Sequence, residues 1–356
     1  MPLLKRIPLY WLVLLAGALL VRLSIFMPGL VERYYSSGIY PVIGKSFRVL
    51  FGWLPFSFGD LLYIAAGIWL LAGVYRLFRG FWNKTKAGNG RWAGVSRFIA
   101  IILSIYVLFN LFWGINYNRR GIAWQLKFQV KDTASASLAG LTRVLLDKTN
   151  AWKNVSRPIP GFGKDREEAI RSYASLKNRY DFLAYDHSSV KPSLFGVIGD
   201  YMGYSGYYNP FSGEAQVNTR VPAFLIPYST CHEIAHQLGY AKENEANFVG
   251  FLAARESSDS SMRYSAYLNM FLYANSELRF LDTAAARENY LRLSDPVKKD
   301  LAEYRKYLTR YEGSMGDFVD AFYEQYLKLN QQPAGHRTYN KVVLWLLAYY
   351  GKYGEI

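Results

Sequence analysis

The sequence predicts a mainly α-helical protein in two parts. Three transmembrane helices occupy residues 1–120, and a mostly helical soluble domain with one small β-hairpin or sheet occupies residues 121–356. Three observations predict this. Hydrophobic residues make up 51% of the chain, and the excess lies in the first 120 residues, as membrane spans require. Beyond them, apolar residues recur with helical spacing. One stretch, residues 203–218, breaks that spacing with Gly, Tyr and Asn.

The candidate spans are residues 8–27 after Lys5 and Arg6, residues 57–75 before Arg76, and residues 98–115 between Arg97 and the pair Arg119-Arg120. Each approaches the ~20 residues a helix needs to cross the hydrocarbon core. Asp60 interrupts the second near its start, and Arg22 in the first can snorkel to the headgroups. The first segment also has the basic start and the Ala16-Gly17-Ala18 run of a cleaved signal peptide. Its apolar residues continue to Met27, so an uncleaved span is expected.

The loop after the second span carries Arg76, Arg79, Lys84, Lys86, Arg91 and Arg97 and no acid. The positive-inside rule places it, with the N-terminus, in the cytoplasm. Residues 28–56 and everything beyond the third span then lie outside. Residues 39–56 mix aromatics with Lys45 and Arg48, the composition of a segment lying along the interface.

The net charge is +15. Many basic residues flank the apolar runs, and no nucleic-acid-binding motif is present. The expected partner is therefore the lipid bilayer and not a nucleic acid. Cys231 is the single cysteine, so no intrachain disulfide forms.

In the soluble part, residues 165–180, 260–280 and 296–311 have helical spacing, and Pro158 and Pro160 mark a preceding linker. Residues 342–350 are apolar but too short to span, so they read as a core helix. Asn209-Pro210-Phe211-Ser212-Gly213 reads as a turn between residues 206–208 and 214–218. A hairpin is expected there, with a plain connecting loop as the alternative.

The run His232-Glu233-Ile234-Ala235-His236 carries the chemistry. On a helix, His232 and His236 share one face and can grip one ion. Zinc favours imidazole ligands and keeps a position open in catalytic sites. Glu233 is placed to take the proton of an attacking water and pass it to a leaving group. The competing reading is a capping box, Thr230-Cys231-His232-Glu233. Capping needs neither histidine, and H-E-x-x-H arises by chance in roughly three of a thousand such chains. The metal reading is preferred.

A third ligand must follow. Gly239 can end the helix in a left-handed turn. Glu243 and Asn247 then share a face of the next helix, while Glu245 points about 160° away from Asn247. Glu243 is the expected ligand and Asn247 the residue that orients a ligand. Either glutamate could instead stabilise the helix dipole.

These runs, with Tyr208-Asn209-Pro210-Phe211-Ser212-Gly213-Glu214-Ala215 and Glu243-Asn244-Glu245-Ala246-Asn247-Phe248, resemble the bacterial domain-of-unknown-function family 3810. The resemblance covers most of the chain. It implies a zinc peptidase of the bacterial inner membrane with a zincin-like soluble domain and no settled substrate. The E-x-x-A-N run is also similar to the E-x-x-A-D/N helix of gluzincin peptidases, including the membrane CAAX type, where the first glutamate is the ligand. Asn247 stands where the CAAX type has aspartate, and the connection between the two helices is short. Intramembrane prenyl-peptide processing is therefore not implied.

His336 and Tyr339 are candidate stabilisers of an oxyanion, against readings as a surface histidine and a core tyrosine. His187 reads as a surface histidine and Cys231 as a small packing residue. The expectation is a multi-pass zinc metallopeptidase with its soluble domain outside the cytoplasm, acting on a peptide or protein. The alternatives are a membrane sensor or scaffold with a structural zinc site, and a zinc amidase acting on cell-wall peptide.

Overall fold

The first apolar segment forms α1 (Leu9–Ser24), 16 residues long. Pro28 has no N–H to continue that helix but suits the first turn of a new one. The chain bends there by 99° into a second helical stretch, α2 (Pro28–Phe51), wound in a wider π-type geometry over Val31–Ile39. The computed structural model describes residues 8–82, 90–127, 135–156, 161–311 and 342–356.

α3 (Phe58–Trp82) and α4 (Gly90–Phe112) follow. Among the described residues they contain the two stretches clearly long and apolar enough to cross a bilayer, Phe58–Arg76 and Gly94–Phe112. Three such helices were expected. α1 qualifies only jointly with α2 across the bend, because the break before Pro28 cuts its helix short. The third segment is also displaced, since Trp113 has already left helical geometry.

α1 runs parallel to α4. Leu9 and Val13 share a groove with Arg97 and Ile101, Gly17 meets Val107, and Ser24 Oγ accepts from Asn118 Nδ2 at 2.6 Å. The start of α1 and the start of α4 therefore lie at the same end. α3 is exposed along Leu61–Ile64 and again from Ile68 to Leu71, and it is held at its first turn. Ser57 caps that turn, accepting from Asp60 N. The Asp60 carboxylate accepts from Leu194 N at 2.6 Å and from the Tyr207 hydroxyl. The acid that interrupts the apolar run is thus a buried joint to the rest of the molecule.

Besides short helical turns, the remaining elements among the described residues are α5 (Ser135–Val155), α6 (Phe162–Lys177), β1 (Val190–Pro192), α7 (Gly196–Met202), β2 (Gly206–Asn209), β3 (Glu214–Val217), α8 (Ile226–Gln237), α9 (Glu243–Glu256), α10 (Ser260–Leu281), α11 (Thr283–Leu291), α12 (Asp295–Tyr311) and α13 (Val342–Tyr353). The sheet order is β1-β3-β2, with β1 parallel to β3 and β2 antiparallel to it, in register Gly206↔Val217 and Asn209↔Glu214. The expected hairpin is present. The third strand was not expected, because Val190-Lys191-Pro192 is too short to show an alternating pattern. The hairpin turn rests on α3, where a Cβ at Gly59 would lie 2.5 Å from Asn209 Nδ2 and Ser212 Oγ.

α8 packs against the hairpin on one side and against α6 and α9 on the other. α9 is buried from Glu243 to Ala254. Its Gly250 allows backbone-to-backbone packing, since a Cβ there would be 2.9 Å from His232 N. Apolar side chains of α5, α6, α9, α10 and α13 complete the main core.

Candidate metal centre

α8 begins at Ile226, so Thr230 lies inside the helix and bonds back to Ile226 O instead of capping. The helix presents His232 and His236 on one face, with ring centroids 4.7 Å apart. Gly239 then adopts φ +85°, a conformation that glycine takes without strain. This lets α9 return past the histidines. Glu243, at the start of α9, places Oε2 3.3 Å from His232 Nε2 and Oε1 3.7 Å from His236 Nε2. One ligand atom from each of the three residues lies within 4.8 Å of the others.

Tetrahedral zinc with bonds of ~2.0–2.1 Å has ligand atoms roughly 3.4 Å apart. The spacing of these three groups fits such an ion. Glu243 and His236 favour one another's charged forms. Burial opposes charge on His236, but the adjacent Glu243 carboxylate outweighs it and pushes the imidazolium up to about 9. Burial opposes charge on Glu243 too, yet the two imidazoles hold it well below the usual carboxylate range. His232 is lowered by burial.

A second contact fixes the His236 ring. His236 Nδ1 lies 2.8 Å from Tyr240 O, a bond that puts the proton on Nδ1 and leaves Nε2 free to ligate. Asn247, one turn beyond Glu243, lies beside His232 and favours its protonated form. Its Oδ1 accepts from Tyr228 OH at 3.0 Å. Glu245 faces elsewhere, 3.8 Å from Lys242 Nζ and filling the space a Cβ would take at Gly121.

Glu233 is buried against β2. A Cβ on Gly206 would lie 2.6 Å from Glu233 Oε1. Glu233 Oε2 is buried without a hydrogen-bond partner among the described residues, an arrangement that a water or substrate proton would complete. Burial pushes this carboxyl up to about 8.

The C-terminal end of α8 is held by residues of α2 and of the segment after α4. Trp113 Nε1 donates to His236 O at 3.0 Å, Tyr40 OH to Gln237 O at 2.8 Å, and Arg119 to Gly239 O at 3.1 Å. Arg119 is itself held by a buried ion pair with Glu32. The Trp113 ring centroid is 5.8 Å from that of His236. Of the residues around the cluster, Asn247 was expected from its spacing to Glu243, and Tyr228, one helical turn before His232, also carried a local signal in the sequence.

His336 and Tyr339 lie outside the described residues. His187 is exposed on a loop. Cys231 is buried in the core, away from the cluster, and burial raises its thiol pKa far above the usual range.

Residues 35–347 match the family described as protein of unknown function (DUF3810). The chain belongs to that family. The DUF3810 match begins within α2 and ends within α13, so it takes in both clear spans, the hairpin that rests on α3, and the His232–Glu243 cluster. No curated protein and no solved structure matches the chain.

Proposed function

We propose that this chain is a membrane-anchored zinc metallopeptidase with a zincin-like soluble domain. The observation that carries the reading is the buried convergence of His232, His236 and Glu243 beside Glu233 Oε2, which has no partner among the described residues. His232, His236 and Glu243 would hold the ion, which when bound supplies Lewis-acid polarisation of the scissile carbonyl and makes water acidic near neutral pH. In its ionised form Glu233 accepts the proton of the attacking water, and the acid so formed delivers it to the departing amine. Its buried position against Gly206 keeps the carboxyl in one place through both transfers. Three ligands, with a carboxylate left over, favour an open catalytic site over a closed structural one.

β2 is an edge strand next to Glu233. An extended peptide can add to such an edge through main-chain bonds. In this reading α1, α3 and α4 cross the inner membrane, with the N-terminus in the cytoplasm and the metal site outside. The parallel course of α1 and α4 supports that arrangement.

The test is Glu233→Gln in the full chain, assayed on a peptide library with zinc content measured in parallel. The expected result is zinc retained and cleavage lost. Wild-type cleavage by a zinc-loaded Glu233→Gln protein would overturn the mechanism.

A further inference from the structure

The following inference rests on the reading of α3 as a membrane span. Because Leu194 N is bonded to Asp60, the segment leaving β1 is fixed at the level of the first turn of α3. From there α7 turns Val197 and Ile198 outward, exposed by 52% and 50%, beside Leu194 at 54%, while Tyr201, exposed by 48%, packs its ring edge-on against Tyr311. Positions 197, 198 and 201 share one helical face. The opposite face is fixed by polar bonds: Asn218 Nδ2 donates to Gly196 O and Asp200 Oδ1, and Arg220 pairs with Asp200. α7 cannot rotate its apolar face inward without breaking them.

A second apolar stretch lies at the same level, just before α3. Val49, Leu50, Trp53 and Phe56 are exposed by 52%, 58%, 76% and 44%. It is tied to β1 by Lys191, whose ammonium donates to Gly52 O and Leu54 O. Exposed apolar surface on this scale marks an interaction site. An outward tryptophan beside a span belongs to the headgroup level of a bilayer.

We propose that α7 and the turn before α3 dip into the bilayer interface on the side of the soluble domain. Lipid is the occupant because both stretches are continuous with the start of a lipid-facing helix and are bonded to it or to its neighbour β1. A water-exposed patch with a protein partner would need no such alignment with the span.

The test uses the full chain in phospholipid nanodiscs with Val197→Cys carrying an environment-sensitive fluorophore. Native Cys231 is buried and does not compete for label. Lipid bearing a nitroxide near the top of its acyl chain and aqueous iodide are the two quenchers. Leu71→Cys within α3 and Leu291→Cys at the end of α11 are the controls, both positions being exposed. The expected result is several-fold stronger quenching of the Val197 probe by lipid than by iodide, with the reverse at Leu291. Iodide quenching equal to that at Leu291 would overturn the proposal. Protection from both quenchers would also overturn it, because a protein surface would then cover α7. Absence of lipid quenching at Leu71 would remove the span itself, and this proposal with it.

Discussion

Glu233 and Gly206 illustrate how closely the residues of the site constrain one another. The carboxylate occupies the volume that any side chain at 206 would need, and Gln216 O lies 2.8 Å from the same point. Gly206→Ala must therefore move either the strand or the carboxylate. We predict a loss of turnover on the order of 10²-fold, as small misplacements of a reacting group produce, with zinc content unchanged because neither histidine is touched. Equal loss of zinc and turnover would mean that Gly206 supports the whole cluster and not Glu233 alone. His232, Glu233 and His236 were legible in the sequence because three chemistry-bearing residues fall within five positions of one helix. Glu243 was legible through the glycine turn and helical spacing. Gly206 was not, since nothing local marks a glycine whose missing side chain makes room for a residue far along the chain.

Among the elements, α8 is gripped at both faces and at its C-terminal end. The donors at that end come from α2 and from the segment after α4, more than a hundred residues away. No periodicity or motif announces contacts of that separation, whereas the helices themselves followed from their apolar spacing. The Glu32–Arg119 pair anchors this frame. Burial opposes charge on Glu32, but Arg119 outweighs it and holds the carboxyl below its usual value. The unfolded state, with an ordinary pKa of about 4.3, thus binds the proton more readily. The pair stabilises the fold above that pH, and the contribution is lost as pH falls through the lower folded value. We predict that the thermal midpoint of the wild type falls more steeply below about pH 5 than that of Glu32→Gln, although the variant is less stable at pH 7. Parallel curves for the two proteins would show that Glu32 does not contribute to the acid limb.

At the scale of the whole molecule, the long apolar helices and the His232–Glu243 cluster form one construction. Asp60 and Gly59 at the start of α3 receive the sheet, and Trp113 at the end of α4 holds the backbone of a candidate ligand. The sequence predicted the two parts but not their joint. Asp60 read as a flaw in an apolar run, and only its partners Leu194 and Tyr207 give it a purpose. The central claim is that His232, His236 and Glu243 together hold one zinc ion in this anchored frame. Its most direct test is zinc stoichiometry in the purified full chain, compared among wild type, Glu243→Ala and Glu245→Gln. We predict one zinc per wild-type chain, a loss of binding in Glu243→Ala, and one zinc per chain in Glu245→Gln, because Glu245 faces Gly121 and Lys242 instead of the histidines. A wild type that binds no zinc, or a Glu243→Ala protein that keeps its full complement, would contradict the account.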